Sequence, residues 1–180
     1  MRCVSSVTVV VILFAIGCGA DAVTEEQLAA AGIVHITDEN HDELVLNSDI
    51  PVLLNISASW CSRCRRVEPI ILDIADEYRD RVLFGNVNVD TEKRLTAEYS
   101  VERLPLLALL VHGKLVAFIE GYDSRMRQQV PKKLDEAIGY AIRQRQERAA
   151  RRVKEQARAA KLQESEDRTD AIHEDAGSGQ

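Results

Sequence analysis

Val52-Leu53-Leu54-Asn55-Ile56-Ser57-Ala58-Ser59-Trp60-Cys61-Ser62-Arg63-Cys64 sets an apolar, β-branched run directly ahead of two cysteines separated by two residues. The run Val52 to Ile56 has the length and composition of a strand buried on both faces. Beyond it, Val67, Ile70, Ile71, Ile74 and Tyr78 recur at intervals of three and four, the spacing of one helical face, which predicts a helix over Cys61 to Tyr78. Pro69 falls inside that helix and is expected to kink it, because its ring removes one backbone hydrogen bond. The cysteine pair therefore sits at a helix tip, where free N–H groups and the helix dipole favour a thiolate on Cys61. Cys64, one turn on, is placed to attack a mixed disulfide formed at Cys61 and release the bound thiol. Arg63, Arg65 and Arg66 add positive charge nearby, either as an electrostatic influence on Cys61 or as a solvated helix face.

Working toward the N-terminus, Ile33 to Ile36 reads as a strand and Asp38 to Asn47 as a short helix closed by a turn before Pro51. Thr24-Glu25-Glu26-Gln27 has the form of a capped helix start, and Gly32 ends that helix. Toward the C-terminus, Val82 to Val89 reads as a strand and Thr91 to Tyr99 as a helix. Leu106 to Val111 then turns through His112-Gly113-Lys114 into Leu115 to Ile119, a hairpin whose His112 is expected to be exposed and idle. Pro131 is expected in the first turn of the last helix, where its missing N–H costs little. This order predicts an α/β fold with a mixed sheet and helices on both faces.

The 180 residues and 46% hydrophobic content suffice for one domain with a real core plus appendages. The formal charge of −6 is unevenly spread: residues 21–140 carry 13 Lys and Arg against 21 Asp and Glu, and residues 141–162 carry 8 against 2. An acidic domain argues against nucleic acid as a partner. Past Tyr140 the last helix is expected to run to about Leu162 with a thin apolar stripe of Ile138, Ile142, Ala149, Val153 and Ala160. That extension reads either as a solvated helix or as a partner-binding or coiled-coil segment, and its basic charge makes an anionic membrane surface a further candidate. Residues 163–180 are polar and acidic, and disorder is expected there.

Arg2 precedes an apolar stretch from Val9 to Ile16 and the small residues Gly17, Cys18, Gly19 and Ala20. This is the pattern of a targeting segment over residues 1–22, too short to span a bilayer. Cleavage after Ala20 or Ala22 fits it; Ala15-Ile16-Gly17-Cys18 also resembles a lipoprotein box, which would leave Cys18 as a lipidated first residue. Either way the protein is expected in an exported compartment, periplasmic or secreted and lumenal, and membrane contact is expected only through Cys18 or the basic helix. Cys3 and Cys18 then drop out, leaving Cys61 and Cys64. A zinc site needs about four Cys or His ligands. His35, His41, His112 and His173 stand at no ligand-like spacing to the pair, so neither metal nor other cofactor is expected. The domains are thus residues 1–22, 23–140, 141–162 and 163–180.

Residues from about 50 to 140 resemble the thioredoxin family, on the stretch Val52 to Cys64, Pro69, Asn88-Val89-Asp90, Leu104-Pro105, and Gly113 with Gly121. The resemblance implies a thioredoxin fold, with Cys61 as nucleophile, Cys64 as resolving cysteine, a Cys61–Cys64 disulfide and Trp60 as an aromatic wall beside it. Pro105 falls where the family keeps a cis proline facing the disulfide, and Leu104 would offer backbone groups to an extended substrate strand. Three departures stand out. The family's buried acid corresponds to Asn55 and its neighbouring lysine to Asn86, neither of which carries a proton near neutral pH. Asn55 reads alternatively as a satisfied core group tying two strands. The family's Gly-Pro between the cysteines is Ser62-Arg63, a dipeptide that tunes potential and charge. The implied function is a thiol–disulfide oxidoreductase acting on protein thiols and disulfides, with a redox partner protein and the direction of electron flow open. The alternative is a non-catalytic binding module with a structural disulfide and a partner held by the C-terminal helix; the short loop between the cysteines gives such a disulfide little chain-entropy benefit.

Overall fold

The computed structural model describes residues 23–177, with side chains through residue 163. The targeting segment expected over residues 1–22, with its Cys18, lies outside the described residues. Helix α1, Glu25–Ala30, opens on a reciprocal cap: Thr24 Oγ1 accepts the Gln27 N–H at 3.2 Å and Gln27 Oε1 accepts the Thr24 N–H at 2.9 Å. Strand β1, Ile33–His35, follows. The ordinary helix expected over Asp38 to Asn47 is instead a π-helical turn, Asp42–Leu46. Its first residues are engaged elsewhere. Thr37 and Asn40 bond each other's backbone N–H, and the Asp38 carboxylate accepts the N–H groups of Arg94 and Leu95 at 3.1 and 3.0 Å. Asp38 thereby supplies the start of the short helix α3, Lys93–Glu98.

Strand β2, Val52–Ser57, is buried at all six positions and leads into α2, Ser62–Tyr78, which carries Pro69 inside it. Strand β3 is Leu83–Asn88, and β4, Leu106–Val111, pairs with β5, Lys114–Glu120, as the expected hairpin. The sheet order is β1-β3-β2-β4-β5. The β1–β3 and β3–β2 pairs are parallel and the β2–β4 and β4–β5 pairs antiparallel, which makes the sheet mixed. Alternation along the strands divides the core into two layers. Leu53, Phe84, Leu107 and Leu109 face α2 and the last helix α4, Met126–Gly177; Leu54, Ile56, Val87 and Ala108 face Val45 of the π-turn and Leu95 of α3.

Two expectations at the C-terminal side need correction. His112 is half-buried at φ 49°, and its Nε2 is buried without a hydrogen-bond partner among the described residues, because the hairpin tip packs down on the π-turn. The next residue has φ 72°, and a Cβ on Gly113 would stand 2.7 Å from the Leu46 carbonyl oxygen, so the turn admits only glycine comfortably. Pro131 lies in the second turn of α4, since Asp123 Oδ1 accepts the Arg125 N–H at 2.8 Å and starts the helix earlier, at Met126. The helix runs past Tyr140 through Leu162 as expected, and its backbone stays helical to Gly177. Residues 163–176 contain neither glycine nor proline, and Glu, Gln, Ala and Arg favour the helix. Among the described side chains of α4 the last buried one is Ala141, and from Arg145 to Gln163 every side chain is exposed.

Candidate active site

Strand β2 ends in a turn in which the Ala58 carbonyl accepts the Cys61 N–H at 3.1 Å, and this turn delivers Cys61 to the N-cap of α2. Cys61 and Cys64 are joined as a disulfide with their Cα atoms 5.3 Å apart. Cys61 Sγ also accepts the Cys64 backbone N–H at 3.2 Å, the position that an N-cap oxygen takes in other helices. The same donor would stabilise a thiolate there after reduction. Cys61 keeps 7% of its surface and Cys64 1%, so an incoming sulfur meets Cys61 first. Arg65 Nη1 donates to the Ser59 carbonyl at 3.1 Å and ties the turn to the first coils of α2. Ser62 and Arg63 are exposed between the cysteines.

The Leu104–Pro105 bond is cis, with Pro105 buried and Leu104 half-buried against the same apolar cluster that holds both cysteines. The Pro105 carbonyl accepts the Gly121 N–H at 2.7 Å, which fixes the end of β5 beside the cis bond. Tyr122 follows, and the Arg66 guanidinium carbon lies 5.8 Å from its ring centroid. Trp60 is 66% exposed, and its Nε1 donates to Asp90 Oδ2 and Oδ1 at 3.0 and 3.2 Å. The indole is thus fixed through the end of β3, since Asn88 Oδ1 in turn accepts the Asp90 N–H at 2.9 Å. Asp90 and Tyr122 had no role legible from spacing, and Arg65 was legible only as a charge, because each acts through a contact outside its own element.

Beneath the pair, Asn55 and Asn86 are register partners, and Asn55 Nδ2 donates to Asn86 Oδ1 at 3.0 Å. Ser57 Oγ reaches the same oxygen at 3.4 Å, whereas Asn55 Oδ1 is buried with no partner among the described residues. The satisfied-amide reading therefore holds for the nitrogen of Asn55 and not for its oxygen. On α2, burial pushes the Glu68 carboxyl above the usual carboxylate range, partly offset by the Val23 N–H and by Arg65. His41 is buried and its Nε2 lies 2.7 Å from the Tyr99 hydroxyl oxygen, away from the cysteines. Among the described residues no three His, Cys, Asp or Glu side chains converge on a point that could hold a metal.

Residues 32–136 match the thioredoxin family. The chain is 35% identical over 85 residues to the thioredoxin of Haemophilus influenzae, an alignment covering 47% of this chain and 79% of that protein. It is 32% identical over 103 residues to the thioredoxin of Chlorobaculum thiosulfatiphilum, covering 57% of this chain and 94% of that one. The thioredoxin of Acidithiobacillus ferridurans is 36% identical over 85 residues, with 47% and 79% covered. The family match spans more than half of the sequence, and this chain therefore belongs to the thioredoxin family as a thiol–disulfide redox protein built around the Cys61–Cys64 pair.

Proposed function

We propose that the protein is an exported thiol–disulfide oxidoreductase whose substrates are protein thiols and disulfides. Cys61 is the attacking sulfur and Cys64 the resolving one; Trp60, Leu104 and Pro105 form the docking surface, and Ser62, Arg63, Asn55 and Asn86 tune the couple. The reading is carried by the hydrogen bond from the Cys64 N–H to Cys61 Sγ at 3.2 Å, which gives the more exposed sulfur a donor that favours its ionised form. The apolar N-terminal stretch Val9 to Ile16 supports export, and an oxidising compartment is where protein disulfides need making, breaking or reshuffling. A separate redox protein recycles the pair there.

Reduction of a model protein disulfide by the wild type and by Cys61→Ser tests this reading. Turnover by the wild type and none above background by the variant is expected. Equal rates would end the catalytic reading and return the pair to a structural disulfide on a binding scaffold. The equilibrium potential against glutathione then sets the direction of electron flow.

A further inference from the structure

We propose that the polypeptides this pair exchanges with are acidic around their target sulfur, and that Arg63, Arg66 and Arg103 select them; the assignment rests on the oxidoreductase reading above. A local reversal of charge carries it. Residues 21–140 hold 13 Lys and Arg against 21 Asp and Glu, yet the rim of the disulfide is rich in arginine. Arg63 is exposed between the two cysteines, Arg66 is exposed just past Cys64, and Arg103 is exposed immediately ahead of the cis Leu104–Pro105 bond. Among the described residues none of the three makes an ion pair with a carboxylate. Arg65, by contrast, is occupied by the Ser59 carbonyl. Of the carboxylates on the same loops, Asp90 accepts the Trp60 N–H, Asp123 pairs with Arg125, and Glu102 is exposed beside Arg103.

The arginines also flank the expected path of a bound segment. Arg103 stands at one end of the cis bond. At the other end the Pro105–Gly121 hydrogen bond of 2.7 Å brings Tyr122 alongside, and Arg66 stacks over that ring. Stacking leaves the edge of the guanidinium, with its N–H donors, open to a carboxylate. An extended peptide over Leu104 and Pro105 would meet a cation on either side of its cysteine. Such rim pairs act mainly on the rate of encounter and are screened by salt.

The chemistry balances within the pair and its target. Cys61 thiolate attacks one sulfur of the target disulfide, forming a mixed disulfide and expelling the other target sulfur as thiolate. Cys64 gives its proton to solvent and attacks Cys61 Sγ, forming the Cys61–Cys64 bond and expelling the second target thiolate. Both target sulfurs then take up protons; the target gains two electrons and the protein loses two.

The test is a single turnover of full-length protein, reduced beforehand with a dithiol that is then removed. Three peptide disulfides are offered, identical except for Asp and Glu, Ser and Asn, or Lys and Arg around the cysteines. The acidic peptide is expected to react about tenfold faster than the neutral one at low ionic strength, and the basic one more slowly than either. The acidic-to-neutral ratio should fall toward one at high salt and in a variant combining Arg63→Gln, Arg66→Gln and Arg103→Gln. That ratio cancels any change in the nucleophile itself. Equal wild-type rates for acidic and neutral peptides would overturn the assignment while leaving the oxidoreductase reading intact. A ratio unchanged in the triple variant would remove the arginines from it, and failure of every peptide to react would remove both readings.

Discussion

Residues 52–64 and residues 145–163 are each regular along the chain, but different forces hold them. All six positions of β2 are buried, and the strand is locked in register to β3 on one side and β4 on the other. The disulfide at its end inherits that rigidity through the Ala58 turn and the Ser59–Arg65 hydrogen bond. From Arg145 to Gln163, α4 exposes every side chain, so its helicity rests on local hydrogen bonds and helix-favouring residues. The site geometry is therefore a property of long-range packing, and the outer helix is energetically separate from it.

The largest contrast should come from paired truncations. Leu54 is fully buried in β2, and Leu54→Ala should cost about 2–5 kcal/mol by lost transfer energy and the cavity left behind. Val153 is 64% exposed on α4, and Val153→Ala should fall within about 0.5 kcal/mol of the wild type. Urea unfolding read at the transition midpoint measures both. A Val153→Ala loss comparable to that of Leu54→Ala would break the comparison, since position 153 would then have to be covered in solution.

A charge placed in the inner region sharpens the contrast in another way. Asn55 is 4% exposed and already offers its Nδ2 to Asn86 Oδ1. Asn55→Asp puts a carboxyl where an acceptor waits, so the protonated form, which can donate, is favoured and burial raises its pKa. The folded variant then holds a proton that the unfolded chain releases above about pH 4, and its stability is full below that pH. As pH rises from there to the raised folded value, it should fall by about 1.4 kcal/mol per unit. Urea midpoints measured across pH for variant and wild type check this. The same slope in both proteins would show that the surroundings of position 55 are wet enough to solvate a carboxylate.

Legibility followed the same divide. The apolar run of β2, the three-and-four spacing of α2 and the β4–β5 hairpin were all readable because each is a local pattern whose burial the period itself announces. The cysteine pair at a helix tip was read from spacing, whereas its disulfide and the cis proline came from motif resemblance. The π-turn escaped because Asp38, four residues ahead of it, caps α3, a partner 57 residues away in the case of Leu95. His112 looked idle because nothing near it in sequence says that the hairpin tip meets Leu46. Arg66 was visible as a charge, but its ring partner Tyr122 joins it only through the sheet. The reach of α4 past Tyr140 was legible as well, because helix-favouring residues carry it and neither glycine nor proline interrupts residues 141–162.

The smallest expected effect is the most telling about α4. Ending the chain after Gln144 removes a stretch whose described side chains, Arg145 to Gln163, are exposed, and keeps Ala137 and Ala141, which pack against the sheet and α2. The thermal midpoint should shift by no more than about 2 °C, the equivalent of about 0.5 kcal/mol, while the far-ultraviolet helical signal drops in proportion to the residues lost. A midpoint that depends on protein concentration in the full chain and not in the shortened one would reverse this, because mass action links stability to concentration only when copies associate. Arg145, Arg148, Arg151, Arg152 and Arg158 on the outer helix oppose in-register pairing by like charge, so raised salt would then have to strengthen it. Without that salt response, residues 145–163 add little to the stability of a domain that folds without them.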